Sequence, residues 1–572
     1  MKSSFEASLA AAIAALGHQS ESEVLSLLTV PQESSHGDYS MPCFTLAKKL
    51  RKAPKAIAEE LATLVQLPTG FAKVEPINGY LNFHVDRTFL VTGVLQAIEN
   101  EGLQFGHFAK RDERIVIDYS SPNIGKELAF HHIRSTMIGN ALARLYDAYG
   151  YTVVRINHLG DWGTQFGKLI IMYLRENLPT DTLSLSKLEV RDLNVLYSSF
   201  SKVAKDHPEM EDEARAAFSK LESGDEFYRT LWTAFKQATL KELNRIYALM
   251  GITFDHYTGE SFFEPFIPAV LEELQQKNLL INSQERDVVM LDELDLPPCL
   301  IRKSDGSTLY ATRDLAAAIY RHNEYRFTKC LYVVDQGQAL HFKQVFATLG
   351  KMGYDWAKQL VHIPFGVILH QTEEGKWEKG KTRSGHSSLL RDVIEAAHDK
   401  IIATIREKNP DLADADLIAT QIGISALAFN DLKNKRLMDV KFDWDAALSF
   451  EGATGPYVQN AHVRLCSISR KAGYRVALAD VKIAEIIDDH SCNLIRVLAR
   501  KGDRIRAACE SDEPSLMTQY SLEIAEAAHS FIHHNRVLGV EQERSRLYLV
   551  QAAQIVLEDV LQLIGIFPIR SM

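Results

Sequence analysis

The stretch from Ile115 to Gly139, IVIDYSSPNIGKELAFHHIRSTMIG, constrains the fold more than any other part of the chain. It opens as a short apolar run ending in Asp118, crosses a polar turn with Pro122 and Asn123, and enters a helical pattern at His131-His132. Beyond it, Ile138, Ala141, Leu142 and Leu145 repeat at i, i+3, i+4, i+7, and the pattern stops before Gly150. A second apolar run, YTVVRIN, follows. Strand, helix and strand in this order imply a parallel pair joined by a right-handed crossover. Such a unit sets a helix N-terminus, with its free N–H groups and positive dipole end, beside the end of a strand, where phosphate binds.

The remaining pattern extends this unit. NHLGDWGTQFGKLI is a Gly-rich loop leading into a helix. Residues 171–270 are helical and charged, with Leu243, Ile246, Tyr247 and Met250 on one face and Gly251 as the stop, and they read as an insertion. Residues 285–370 return to alternating strands and helices, and 371–386 (QTEEGKWEKGKTRSGH) read as a polar loop. From about 388 the chain is helical, ending with Leu557, Val560, Leu561 and Ile564 before Gly565 and Pro568. Residues 1–110 form a small mixed unit closed by GYLNFHVD, whose strict alternation predicts a half-buried strand. The expected fold is α/β plus all-α. It comprises a small α/β N-terminal domain (1–110), a Rossmann-type parallel sheet (111–387) with a helical insertion (about 171–270), and a C-terminal helical bundle (388–572). Ligands of open parallel sheets bind outside the carboxyl ends of the strands, and Asp118, Asn157 and Gln336 lie at such ends.

Composition removes several classes of function. No run of eighteen apolar residues exists, so no membrane span is expected. MKSSFEASLAAAIAALG reads as an amphipathic helix rather than a signal peptide, because Glu6 interrupts it. The six cysteines are far apart and form no CxxC pair, which argues against structural zinc and a disulfide framework and suits a reducing cytosol. A net charge of −10 argues against a broad basic surface but leaves room for local basic patches.

Four groups of residues suit chemistry. Asp118, Asn123, Lys126, His131 and His132 flank the first strand–helix turn, where a lysine or imidazole can bond phosphate; taken alone, the histidine pair is equally at home on a surface or in a core. Tyr310 and Asp314, four apart in YATRD, share a helix face, and Asp314 with Asp118 suits a planar guanidinium, although an Asp here also caps helices. Lys379, Lys381 and Arg383 lie in the 371–386 loop, either as a charged surface or as stabilisers of phosphate charge. Lys433, Lys435, Arg436 and Arg464 lie among Tyr457 and His462, which suits stacked single-stranded RNA bases or bundle packing. The run Lys48-Lys49-Leu50-Arg51-Lys52 is a solvated helix face or a phosphate-contacting patch.

These pieces, in this order and over nearly the whole chain, resemble the arginyl-tRNA synthetases of class I. SPNIGKEL with HIRSTMIGNALARL, NHLGDWGTQFG, KSDGSTLYATRDLAAA, LHFKQVF, FNDLKNKR and SFEGATGPYVQNAH look like that family's blocks, and GDYSMPCFTLAKKL looks like part of its extra N-terminal domain, implied to contact the tRNA elbow. The resemblance implies arginine activation by Mg²⁺-bound ATP, used as a substrate, and transfer of the arginyl group to tRNA. It implies no tightly bound cofactor, no metal site, no membrane association, a monomer and a cytoplasmic location. Asp118, Asn123, Tyr310, Asp314 and Gln338 match arginine-contacting positions. Ser121, Lys126, His131, His132, Lys379, Lys381 and Arg383 match the ATP side, with Lys126 and His132 as the catalytic pair. Lys48, Arg51, Lys433, Arg436, Tyr457 and His462 fall in the tRNA-contacting blocks.

Two departures stand out. The His-Ile-Gly-His signature reads Ala129-Phe130-His131-His132, which puts His131 where glycine is expected close to the adenine. The Lys-Met-Ser-Lys loop is absent in that form and the corresponding stretch is KGKTRSG; the resemblance implies that its role passes to Lys126, with Lys379, Lys381 and Arg383 as secondary candidates. The altered signature leaves one rival reading, an activation-deficient synthetase-like tRNA-binding protein.

Overall fold

The computed structural model describes residues 4–31, 36–283, 286–303, 310–371, 375–379 and 389–572. Its contacts group into two compact units. One comprises Met1–Gly106, Ala461–Arg506 and Ser521–Asp559; the other comprises His107–Asn460, Ala507–Tyr520 and Val560–Met572.

The larger unit is built on a four-stranded sheet, entirely parallel. Its spatial order is Leu360–His362, Lys329–Tyr332, Arg114–Asp118, Thr152–Ile156. The chain enters at Arg114–Asp118, adds the Thr152–Ile156 strand on one side, and returns later to add Lys329–Tyr332 on the other. The order therefore reverses between Asp118 and Tyr332, and crossovers depart to opposite faces there, opening a crevice at the carboxyl ends. Val116, Ile156 and Cys330 from the sheet and Leu315, Ala316 and Ala317 from the Tyr310–Tyr325 helix share one core.

The His132–Ala148 helix is buried on nearly all sides, as its apolar and small residues require. Its Gly139 allows the closest approach. A Cβ there would fall 2.2 Å from the Tyr119 Cβ, so glycine lets the helix lie directly over the strand end. Of the inserted helices, Thr164–Arg175, Val190–Val203, Glu209–Glu222 and Glu226–Leu249, the last meets the turn at the strand end through Tyr247 and Thr239. Gly167 serves a similar purpose between two of them, where a Cβ would meet the Ala214 carbonyl oxygen at 1.9 Å.

Part of the expected 371–386 loop is a strand. Trp377–Lys379 pairs antiparallel with Ile368–Gln371, which pairs parallel with Val440–Phe442. The backbone hydrogen bonds of Trp377–Lys379 are satisfied by a neighbour that its polar composition does not advertise. Among the described residues, no helix is long and apolar enough to cross a membrane.

The smaller unit holds a three-stranded antiparallel sheet in the order Tyr39–Pro42, Tyr80–Val85, Phe71–Ile77. The expected alternation in Tyr80–Val85 breaks at Asn82, which is buried with Leu81 and Phe83. Within this unit Arg87 pairs with Asp489 at 2.6 Å, and the fully buried Lys501 pairs with Asp559 at 2.6 Å. All six cysteines are buried and free.

Candidate functional site

The carboxyl end of Arg114–Asp118 is held in an unusual turn. Ser120 and Ser121 both have left-handed backbones, φ 69° and 48°, without being glycine. Ser121 N–H bonds Tyr119 O at 3.0 Å, closing a three-residue turn through Ser120. Strain of this kind persists only where surrounding bonds over-determine it. Here Ser120 N–H donates to Ser135 Oγ (2.9 Å), and Ser135 Oγ donates to Val333 O (2.7 Å). The Ser120 hydroxyl lies 2.7 Å from Tyr247 Oη, which accepts from Asn157 Nδ2 (3.1 Å); Asn157 Oδ1 in turn accepts from Ser121 N–H (3.2 Å). The network is buried and spans the first strand, the helix after it, the second strand and the insertion.

The turn aims two candidate side chains. Asp118 is buried and already matched: Arg321 Nη2 donates to its Oδ2 at 2.8 Å, and Ser121 Oγ donates to its Oδ1 at 2.8 Å. Arg321 is itself 1% exposed and lies over the Tyr332 ring. Asn123 is exposed, and its backbone forms a parallel bridge with Gly160. A Cβ on Gly160 would sit 2.1 Å from Asn123 Oδ1, so the NHLGDWG loop needs glycine where it meets the turn. The next residue, Asp161, is fully buried by Lys236 Nζ (2.6 Å) and the Ser261 N–H (2.8 Å).

The Tyr310–Tyr325 helix carries the other acid. Asp314 and Arg321 are seven residues apart, so they share a helix face about 10 Å apart. The residue that matches Asp118 therefore also fixes where Asp314 stands. Thr312 lies inside the helix, where its hydroxyl donates to Ile301 O at 2.6 Å. His341 Nε2 lies 2.5 Å from Asp314 Oδ2. Tyr310 is exposed at the helix start, and Gln338 is exposed at the cap of the Ala339–Lys351 helix. Close by, half-buried Glu260 is pushed up to about 8, chiefly by burial, with Asp314, Asp161 and Glu264 adding repulsion and Arg313 opposing it. Nothing in its sequence context signals this acid.

The ATP-side candidates occupy distinct places. His132 Nδ1 lies 3.0 Å from both the N–H and the carbonyl oxygen of Ala129. Burial first, then the neighbouring His131, pushes the His132 imidazole down to about 4, against the bond to Ala129, so it is neutral at pH 7. His131 stands where a glycine was expected, yet its backbone is right-handed (φ −63°, ψ −21°), so the position needs no glycine for conformation. Its ring is exposed and stacks on His132 with centroids 4.2 Å apart. Lys126 Nζ lies 4.2 Å from the centroid of Tyr197, on the inserted Val190–Val203 helix. Its neighbour Glu127 is bonded by Arg391 Nη1 (2.8 Å) and Asn194 Nδ2 (2.9 Å). Lys379 ends the Trp377–Lys379 strand. Its side chain, and Lys381 and Arg383 altogether, lie outside the described residues.

The RNA-side candidates divide. Lys48 is exposed on the Phe44–Leu50 helix and Arg51 is exposed at its left-handed cap. Phe44, four residues before Lys48, is 49% exposed and packs edge-on against exposed Tyr80 at 5.2 Å, a pair that nothing in the sequence pattern singles out. Lys433 donates to Ala453 O at 3.2 Å, and Tyr457 is half-buried near the start of its helix. Two others are structural. Arg436 binds Pro364 O (2.8 Å) and Asp512 O (3.1 Å), and His462 is fully buried against Cys466. His462 is closed off and offers no surface to a base or phosphate, while Arg436, partly exposed, spends its guanidinium on backbone carbonyls.

Comparisons with known proteins agree along the chain. Residues 94–444 match the model for tRNA synthetases class I (R), catalytic domain. Residues 458–572 match the DALR anticodon binding domain, and 3–85 match the arginyl tRNA synthetase N terminal domain. The arginine–tRNA ligase of Alkaliphilus metalliredigens is 45% identical over 548 residues, 95% of each chain. That of Clostridioides difficile is 44% identical over 550 residues, 96% of this chain and 95% of its own. Among solved structures, the Thermus thermophilus arginyl-tRNA synthetase has a TM-score of 0.80 at 25% identity, covering 95% of this chain and 96% of its own. The Plasmodium falciparum arginyl-tRNA synthetase has a TM-score of 0.79 at 25% identity, covering 95% and 94%.

Proposed function

The chain belongs to the arginyl-tRNA synthetase family of class I, and on that premise we propose how its own residues divide the work of arginine–tRNA ligation. ATP is a substrate, supplied with Mg²⁺. The arginine carboxylate attacks the α-phosphorus in line, pyrophosphate leaves, and a terminal ribose hydroxyl of the tRNA then takes the arginyl group from AMP. Neither step forms a bond to the protein, so catalysis rests on positioning and charge.

Asp314, with Tyr310 and Gln338, reads the arginine side chain, and Asn123 holds its main-chain end. Asp118 acts mainly as the anchor that fixes Arg321 and the turn. Neutral His132 donates to ATP without bringing a charge that would need desolvation. Lys126 leaves Tyr197 to meet the phosphates, and Ser121, His131, Lys379, Lys381 and Arg383 complete that side. Lys48, Arg51 and the Phe44–Tyr80 pair contact tRNA, as do Lys433 and Tyr457. The enzyme works as a cytoplasmic monomer.

The observation that carries this reading is the Tyr310–Tyr325 helix, whose one face presents Asp314 and clamps the strand end through Arg321. Aminoacylation of tRNA with arginine tests it. Charging is expected, and its absence in well-folded protein would favour the activation-deficient alternative. Arginine-dependent ATP–pyrophosphate exchange is expected to need tRNA; equal rates with and without it would count against that dependence.

A further inference from the structure

The helix that begins after Gln338 also carries His341, and His341 reaches across to Asp314 on the neighbouring helix. The geometry points to His341 as a positioning residue for arginine recognition, acting only through Asp314. This rests on the reading of Asp314 given above.

A carboxylate is selective only when it is held. Asp314 has two rotatable bonds, and a guanidinium bonds it well only when the carboxyl plane is fixed. Asp118 cannot supply that selectivity, because Arg321 and Ser121 already hold its two oxygens. Asp314 is different. His341 Nε2 sits 2.5 Å from Oδ2, and among the described residues no hydrogen bond engages Oδ1. One oxygen is therefore fixed by the protein and the other is offered. Both side chains are about one-quarter exposed, so the contact is shielded enough to matter and open enough for substrate.

The contact also joins two elements. Asp314 and Tyr310 lie on the Tyr310–Tyr325 helix, while Gln338 caps the Ala339–Lys351 helix that holds His341. His341 thus keeps two arginine-reading surfaces in register, and its ring packs on Phe342, whose side chain belongs to the core. The imidazole is anchored on one side and bonded on the other.

The test uses the full-length enzyme in tRNA aminoacylation, with KM measured separately for arginine and ATP. His341→Phe keeps a ring of similar size and removes the donor, whereas His341→Gln places an amide N–H where Nε2 stood. His341→Phe is expected to raise the arginine KM about tenfold with kcat and the ATP KM little changed, and His341→Gln to restore most of it. In an Asp314→Ala background, which itself raises the arginine KM, His341→Phe is expected to add nothing. An unchanged arginine KM in His341→Phe, equal rises for arginine and ATP, a Gln variant as poor as Phe, or full additivity with Asp314→Ala would each overturn the proposal. An Asp314→Ala enzyme with normal arginine KM would instead remove the underlying assignment of Asp314.

Discussion

Single residues show how far a side chain's type predicts its task. Asp118 was legible in the sequence as an acid at a strand end, but its partner lies 203 positions away and no local pattern announces it. The same holds for Arg436 and His462, whose types suit RNA and whose surroundings are protein. His131 is the reverse case. Its departure from the family signature is plain in sequence, while its right-handed backbone, which removes the need for glycine, is visible only in structure. His132 yields a pH prediction. Its imidazole is held near 4 in the folded chain, against 6.5 for an ordinary histidine. Between those values the unfolded chain binds a proton that the native one refuses. The stabilising contribution is complete above pH 6.5 and is lost as pH falls toward 4, with about 2 kcal/mol of the loss falling between pH 7 and pH 5. Denaturant titrations at about pH 7 and about pH 5, on either side of the ordinary histidine value, should show this loss, and a His132→Asn variant should lose less over the same interval. Equal losses in both proteins would refute the assignment.

At the scale of elements, the strand–helix–strand unit was readable because periodicity and strand order are local properties. The turn between strand and helix was not. Two serines give no hint of left-handed geometry, since the bonds that enforce it come from Ser135, Tyr247 and Asn157. The Trp377–Lys379 strand escaped the sequence pattern for the same reason: pairing satisfied a segment whose composition reads as loop. Loop and turn meet at Gly160, which makes that position diagnostic. Gly160→Ala would bring a methyl to 2.1 Å from Asn123 Oδ1, so Asn123 or the loop must move. The expected cost is about 1–3 kcal/mol of stability. A raised arginine KM should accompany it, because Asn123 is displaced from the site. Thermal unfolding together with steady-state aminoacylation would detect both; a stable variant with unchanged KM would show that Asn123 does not need this seat.

Across the whole molecule, a net charge of −10 coexists with a local basic helix, which is why totals alone could not decide RNA binding. If Lys48 and Arg51 meet phosphates, the Lys48→Ala/Arg51→Ala enzyme should bind tRNA more weakly and with a shallower salt dependence. The logarithmic slope should fall by about 0.7–0.9 for each phosphate that the protein no longer neutralises. Activation kinetics for arginine and ATP at saturating tRNA should be unchanged. A filter-binding series across salt concentrations measures this slope, and an unaltered slope would exclude the patch. The buried Arg321–Asp118 pair has a consequence at this scale too. Position 321 is filled during synthesis by the same arginyl-tRNA the enzyme makes. Should that tRNA carry lysine or a neutral analogue, some new copies would be built with Asp118 buried beside a poorer partner or none, a defect costing about 3–5 kcal/mol when a buried charge is left alone. Errors in the product would thus return as damage to the producer, and faulty copies would tend to unfold before they could charge further tRNA.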